Sequence, residues 1–104
     1  MTHAELFRTL ADPTRRAVFE RLAGTEMTVS ELKAGFDVSQ PAISQHLSAL
    51  RGAGLVEERR QGRNAYYRAR LEGLAPLTDW VERYRAFWPQ RIEALKGVLK
   101  GMDQ

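Results

Sequence analysis

The chain has no cysteine in its 104 residues. That excludes a disulfide framework and thiol-based redox sensing, and it removes the softest metal ligands. Only two histidines are present, which leaves little material for a histidine-rich metal centre. Serines and aspartates occur, but no histidine is spaced to activate one and no glycine-rich phosphate loop appears, so an enzyme is not expected. No apolar run approaches the roughly 18 residues needed to span a bilayer. Met1-Thr2-His3-Ala4-Glu5 carries neither a charged n-region nor an apolar h-region, so no secretion signal is read and a cytoplasmic protein is expected. Internal repeats, low-complexity tracts and linkers are also missing. With 43% hydrophobic and 28% charged residues in 104, the chain suits one soluble domain, residues 1–104, with a modest core.

What the chain does have is concentrated in Ser39-Gln40-Pro41-Ala42-Ile43-Ser44-Gln45-His46-Leu47. Ser39 suits an N-cap, and Pro41 is tolerated in a first turn whose N–H groups have no intrahelical partner. Ile43, Leu47 and Leu50 then recur at i, i+4 and i+7 as one apolar stripe. The opposite side carries Gln45 and Ser48, flanked by Ser44 and Arg51. Such side chains hydrogen-bond base edges or phosphates, whereas ordinary solvated helix faces carry Glu and Lys. Upstream, Ser30 to Phe36 reads as a short helix capped by Ser30 or Thr28, with Asp37-Val38 as the turn into Ser39. Two short helices joined this way make a helix-turn-helix over residues 30–53.

Gly54 fits the left-handed position that ends the second of these helices. Leu55 to Arg60 and Ala65 to Arg70 read as strands around the turn Gln61-Gly62-Arg63-Asn64, a wing over residues 55–70. The expected fold is mainly α with a small β-hairpin, a winged helix-turn-helix. Charge agrees with it. From Arg51 to Arg70 there are six arginines against Glu57 and Glu58, a net +4, so the rest of the chain carries −1 of the total +3. Arginines clustered beside a helix-turn-helix point to phosphate binding rather than to a merely solvated edge.

Two helices precede these elements, one from His3 to Leu10 and one starting at Asp12-Pro13 and stopping at Gly24. A terminal helix is expected over residues 74–100, with Leu74, Leu77, Val81, Tyr84, Trp88, Ile92, Leu95 and Leu99 in 3/4 spacing and a kink near 85–89 from Pro89. Trp80, Phe87 and Trp88 add aromatic surface beyond the stripe, more than one small domain can hide. A second copy of the chain is expected to cover it, through Leu6, Phe7, Trp80, Tyr84 and Trp88.

Together these residues resemble the ArsR family of bacterial winged helix-turn-helix repressors over essentially the whole chain. The matching pieces are Leu10-Ala11-Asp12-Pro13-Thr14-Arg15-Arg16, Val29-Ser30-Glu31-Leu32, Ser39 to Leu47, Leu50 with Ala53-Gly54-Leu55-Val56, and Gly62-Arg63-Asn64-Ala65-Tyr66-Tyr67. The resemblance implies a homodimer joined through its first and last helices, with two recognition helices in successive major grooves. It also implies promoter blocking and release by a small effector. Many members of that family sense metals, and here the sequence departs. The family's cysteine pair falls on Thr28 and Ser30. Its other site, placed with Asp79 as first ligand, falls on Val81, Ile92 and Leu95 at the remaining positions, so no metal or cofactor is expected. His46 borders the apolar stripe and suits packing or a backbone bond, and His3 is expected to be exposed.

The function read here is a dimeric, sequence-specific DNA-binding repressor on an inverted-repeat operator; any inducer is expected to be an organic effector or a partner protein acting at the aromatic terminal helix. Gln40, Ser44 and Gln45, near the helix N-terminus, are placed at base edges with Ser39 and Ser48 beside them. Arg51, Arg59, Arg60 and Arg63 are placed on phosphates, with Arg63 at the wing tip nearest the minor groove. The alternative is a winged-helix module that binds protein instead. Such an interface enriches aromatics and methionine, and the surface around Gln45 has neither.

Overall fold

Helix starts follow the side chains that can accept an orphan backbone N–H. In this computed structural model, which describes residues 1–102 apart from the side chains of Trp88, Gln90, Ile92 and Met102, Thr2 accepts from the Glu5 N–H at 3.2 Å and its own N–H donates to Glu5 Oε2 at 2.7 Å. That capping box opens α1, His3–Ala11. Asp12 accepts from the Arg15 N–H at 3.0 Å, and Pro13 takes the first position of α2, Pro13–Gly24. Of the two candidate caps for the next helix, Thr28 is the one used, in a second capping box with Glu31, so α3 is Val29–Ala34. Ser39 accepts from the Ala42 N–H at 3.2 Å and opens α4, Gln40–Gly52. Each such cap stabilises its helix by about 1 kcal/mol.

The end of α4 is equally local in origin. Gly54 has φ +75°. Its N–H donates to the Arg51 carbonyl at 3.0 Å, and the Leu55 N–H reaches back to the Leu50 carbonyl at 2.9 Å. This is a Schellman motif, and its hydrophobic pair, Leu50 with Leu55, is fully buried. The chain then runs into β1, Val56–Gln61, and β2, Asn64–Ala69, antiparallel with Val56 opposite Ala69 and Gln61 opposite Asn64. Gly62 at φ +62°, with no positive φ at Arg63, gives the pattern of a type II′ turn. Both strands sit close to the expected spans. Not foreseen is a bridge on the other edge of β2: Met27 and Tyr67 exchange backbone bonds at 3.0 and 2.7 Å, stitching the segment before α3 to the wing.

The core is built from one stripe of each of α1 to α4: Leu6, then Val18, Phe19 and Leu22, then Leu32, then Ile43, Leu47 and Leu50, closed by Ala53, Leu55 and Val56. Full burial of such a side chain is worth about 1.5–3 kcal/mol. Leu6 is 0% exposed within the single chain. The expectation that it meets a second subunit is therefore corrected: it anchors α1 from behind, and its neighbour Phe7 is the residue left outside.

The terminal segment is not one kinked helix. A 3-10 turn, Leu71–Leu74, leads into α5, Ala75–Glu82; a second 3-10 turn, Arg85–Phe87, separates it from α6, Trp88–Met102. Pro89 cannot donate to the carbonyl of Arg85 and its ring crowds that carbonyl, which disfavours α geometry across the preceding turn. The interruption thus begins at Arg83, upstream of the expected kink. α5 packs on α1, whereas α6 extends away and gives the molecule extents of 61 × 30 × 21 Å. No described helix is long and apolar enough to cross a membrane.

Candidate nucleic-acid interface

Burying Ile43, Leu47 and Leu50 fixes how α4 is rolled, so Gln40, Ser44, Gln45 and Ser48 are all exposed on its outer side. The roll is pinned a second time by Arg15 of α2. Its Nε–H donates to His46 Nδ1 at 3.4 Å, and its Nη1–H donates to the Thr9 carbonyl at 3.4 Å. His46 is thus half-buried and bonded to a side chain rather than to backbone. The Asp12 carboxyl beneath this cluster is held below its ordinary value of 3.8, chiefly by the hydrogen bond from the Arg15 backbone N–H. Ser39 is exposed, but its oxygen already serves the cap.

The arginines divide into groups that the sequence did not reveal. Arg59 is locked. Its Nε and Nη2 donate to Glu26 at 3.2 and 2.6 Å and its Nη1 donates to Gln61 Oε1 at 2.7 Å. Its guanidinium also lies 4.8 Å from the Tyr66 ring centroid. The pairing holds the Glu26 carboxyl below its usual range and raises Arg59. This guanidinium links the Met27 segment to the wing while its side chain stays 47% exposed, so the expected phosphate contact would share it with Glu26 and Gln61. Arg51 and Arg60 share Glu58, at 2.9 and 3.0 Å. Arg68 pairs with Glu57, and Arg70 lies 3.4 Å from Glu72. Arg63 is exposed at the turn and makes no ion pair among the described residues. Arg51 and Arg60 stay 52% and 77% exposed, so a phosphate can reach both even though the Glu58 carboxylate between them is only 11% exposed.

On the far side of the domain, α1 and α5 meet through a chain of rings. Phe7 stands edge-on to Trp80 at 5.2 Å and 86°, and Trp80 lies against Tyr84 at 5.1 Å. His3 completes the cluster, 6.1 Å from Phe7 and 6.2 Å from Trp80, and is half-buried. The expectation of a free, exposed His3 is corrected; periodicity gives no hint of a contact between residues so far apart in sequence. Phe7, Tyr84 and Phe87 remain 44, 48 and 59% exposed, and Leu95, Val98 and Leu99 on α6 remain 58, 61 and 52% exposed. The side chain of Trp88 lies outside the described residues.

Comparison with known proteins agrees with this architecture. A helix-turn-helix domain family matches residues 10–59. The HTH-type transcriptional regulator Rv2034 of Mycobacterium tuberculosis is 42% identical over 97 residues, covering 93% of this chain and 85% of that protein. The transcriptional repressor SdpR of Bacillus subtilis is 33% identical over 76 residues, covering 73% of this chain and 84% of that protein. Among solved structures, an ArsR-like transcriptional regulator from Rhodococcus sp. RHA1 superposes with a TM-score of 0.72 at 36% identity, covering 91% of this chain and 90% of that one.

Proposed function

Because the chain belongs to the ArsR family of winged helix-turn-helix regulators, and is thereby a DNA-binding transcriptional repressor, we propose that it acts as a homodimer on an inverted-repeat operator overlapping a promoter. The observation that carries this reading is the division of α4. One face is fully buried, and the other presents Gln40, Ser44, Gln45 and Ser48 with no carboxylate among them. Gln45 and its neighbours take the base edges, and Arg51, Arg60 and Arg63 take phosphates. Two-fold symmetry of the dimer then demands half-sites about 10 base pairs apart, or a multiple of that.

The dimer is proposed to form through the exposed apolar surface of α1, α5 and α6. Phe7, Tyr84, Phe87, Leu95, Val98 and Leu99 are each 44–61% exposed in the single chain, large apolar side chains that a second copy would cover. We propose further that its inducer is an organic molecule acting at the aromatic end of the domain. With Asp79 aligned as the first ligand of the family's helix site, Val81, Ile92 and Leu95 fall at its other three positions, and Thr28 and Ser30 fall at the family's cysteine pair, which leaves a single carboxylate.

Selection of bound duplexes from a random pool, by the purified wild type and by Gln45→Ala, tests the reading. The wild type should enrich an inverted repeat. Gln45→Ala should lose preference at one position of each half-site, by about 1–3 kcal/mol for a bidentate contact. Enrichment of no sequence by the wild type would sink the proposal and favour a protein-binding module.

A further inference from the structure

We propose that Glu58 is a specificity-determining residue of this interface. It holds one arginine of the reading helix and one of the wing on a single carboxylate, and it withholds positive charge from DNA of any sequence. The proposal rests on the reading of α4 and the hairpin as the DNA-binding surface.

Glu58 stands opposite Tyr67, on the strand face it shares with buried Val56. Its side chain is 11% exposed, while those of Arg51 and Arg60 are 52% and 77% exposed. Arg51 Nη1 lies 2.9 Å from Oε2 and Arg60 Nε lies 3.0 Å from Oε1. Oε1 is closed off from solvent, yet Arg60 approaches it off the donor axis and no donor is aligned on it. A carboxylate drawn out of water with an unaligned oxygen is a poor device for stability alone. An apolar side chain beside Val56 and Tyr67 would pack there at least as well.

What the carboxylate does supply is geometry and charge. It ties the last turn of α4 to the middle of β1, so the angle between helix and wing and the placement of both guanidinium groups are set before DNA arrives. Each arginine keeps further N–H donors for a phosphate. Meanwhile one negative charge sits among the cations that drive sequence-independent attraction, an attraction that grows with every phosphate neutralised. Weakening that term raises the share of binding energy that depends on base reading.

The experiment measures wild type, Glu58→Gln and Glu58→Asp against the selected operator duplex and a duplex of scrambled sequence, each over a salt series. Glu58→Gln should bind the scrambled duplex about fivefold tighter near physiological salt, with a salt slope steeper by about one. Its operator affinity should gain less, so the operator-to-scrambled ratio falls. Glu58→Asp keeps the charge with a shorter reach, and keeps the test open where the neutral variant does not fold. It should retain the wild-type slope on the scrambled duplex while its operator affinity drops. A wild type that discriminates, with variants that leave both ratio and slope unchanged, overturns this proposal alone. A slope steepened equally by Glu58→Asp also overturns it. A wild type with no preference sinks the DNA-binding reading on which it stands.

Discussion

Replacing Gly73 with alanine should damage the joint between the wing and the terminal helices. A Cβ at Gly73 would lie 2.1 Å from the Gly54 carbonyl oxygen, 2.9 Å from its carbon and 3.3 Å from the Leu55 Cα. An ordinary C···O approach is about 3.3 Å, so the overlap is on the order of 1 Å. Every atom met is backbone, and no rotamer change relieves it. Neither side yields easily, because Gly54 closes the Schellman motif and Leu55 is fully buried. Overpacking of this kind costs about 1–3 kcal/mol, and two backbones in collision argue for the upper end. Alanine also narrows the unfolded ensemble, which returns about 0.4–1 kcal/mol. The net is a loss of about 2 kcal/mol, or a fall in Tm of roughly 8–16 °C for a domain of this size. Gly52, the last residue of α4, is the internal control, because a Cβ there meets nothing within 4 Å. The same substitution at that site should raise stability slightly, by no more than the roughly 0.5–1 kcal/mol of a mid-helix site. Thermal denaturation followed by circular dichroism, at one fixed protein concentration so that self-association does not shift the midpoint, reads both. A Gly73→Ala protein melting with the wild type, or a Gly52→Ala protein melting below it, would refute the reasoning.

Leu95→Glu with Leu99→Glu should abolish self-association while leaving the helix content of the domain intact, since both side chains are exposed within one chain; a sedimentation profile still showing the dimer would place the interface elsewhere. Arg63→Ala should lower the DNA salt slope by about one with no change in Tm, whereas Arg59→Ala should lower Tm by unstitching Glu26, Gln61 and Tyr66. Acid should destabilise the fold in part through Glu26. Its folded value lies below the ordinary 4.5, chiefly through the Arg59 hydrogen bond, so its stabilisation is complete above pH 4.5 and lost as pH falls through the folded value. Glu26→Gln should flatten the acid limb of Tm against pH, and an unchanged limb would show that the pair contributes nothing.

The features legible in the sequence are those a few neighbouring residues decide. Asp12-Pro13, Ser39 and Gly62 act on backbone groups within a turn of themselves, and each does in the fold what its chemistry dictates. Illegible were features set by packing at a distance. Arg59 meets Glu26 across a separation of 33 residues, and nothing in a charge count distinguishes it from Arg63. Leu6 and Phe7 are equally apolar neighbours, and only the docking of α1 decides which turns inward. His3 finds its place through Trp80, near the other end of the chain. Pro89 announced an interruption, but the residues that absorb it, Arg83 to Phe87, carry no signal of their own.

The two faces of α4 share no residue, and this bears on how such a protein diversifies. Ile43, Leu47 and Leu50 hold the helix in place; Gln40, Ser44, Gln45 and Ser48 hold nothing. Exposed substitutions outside caps and cores usually change stability by less than about 0.5 kcal/mol. After duplication of its gene, a copy could drift through many combinations at those four positions without unfolding on the way. Under the proposed base reading, each combination would be a different address on the chromosome carried by an unchanged body. Ser39 is the exception, because it lies beside the reading face and also starts the helix, where its loss costs about 1 kcal/mol. Readdressing is therefore cheap one turn into the helix and constrained at its first step.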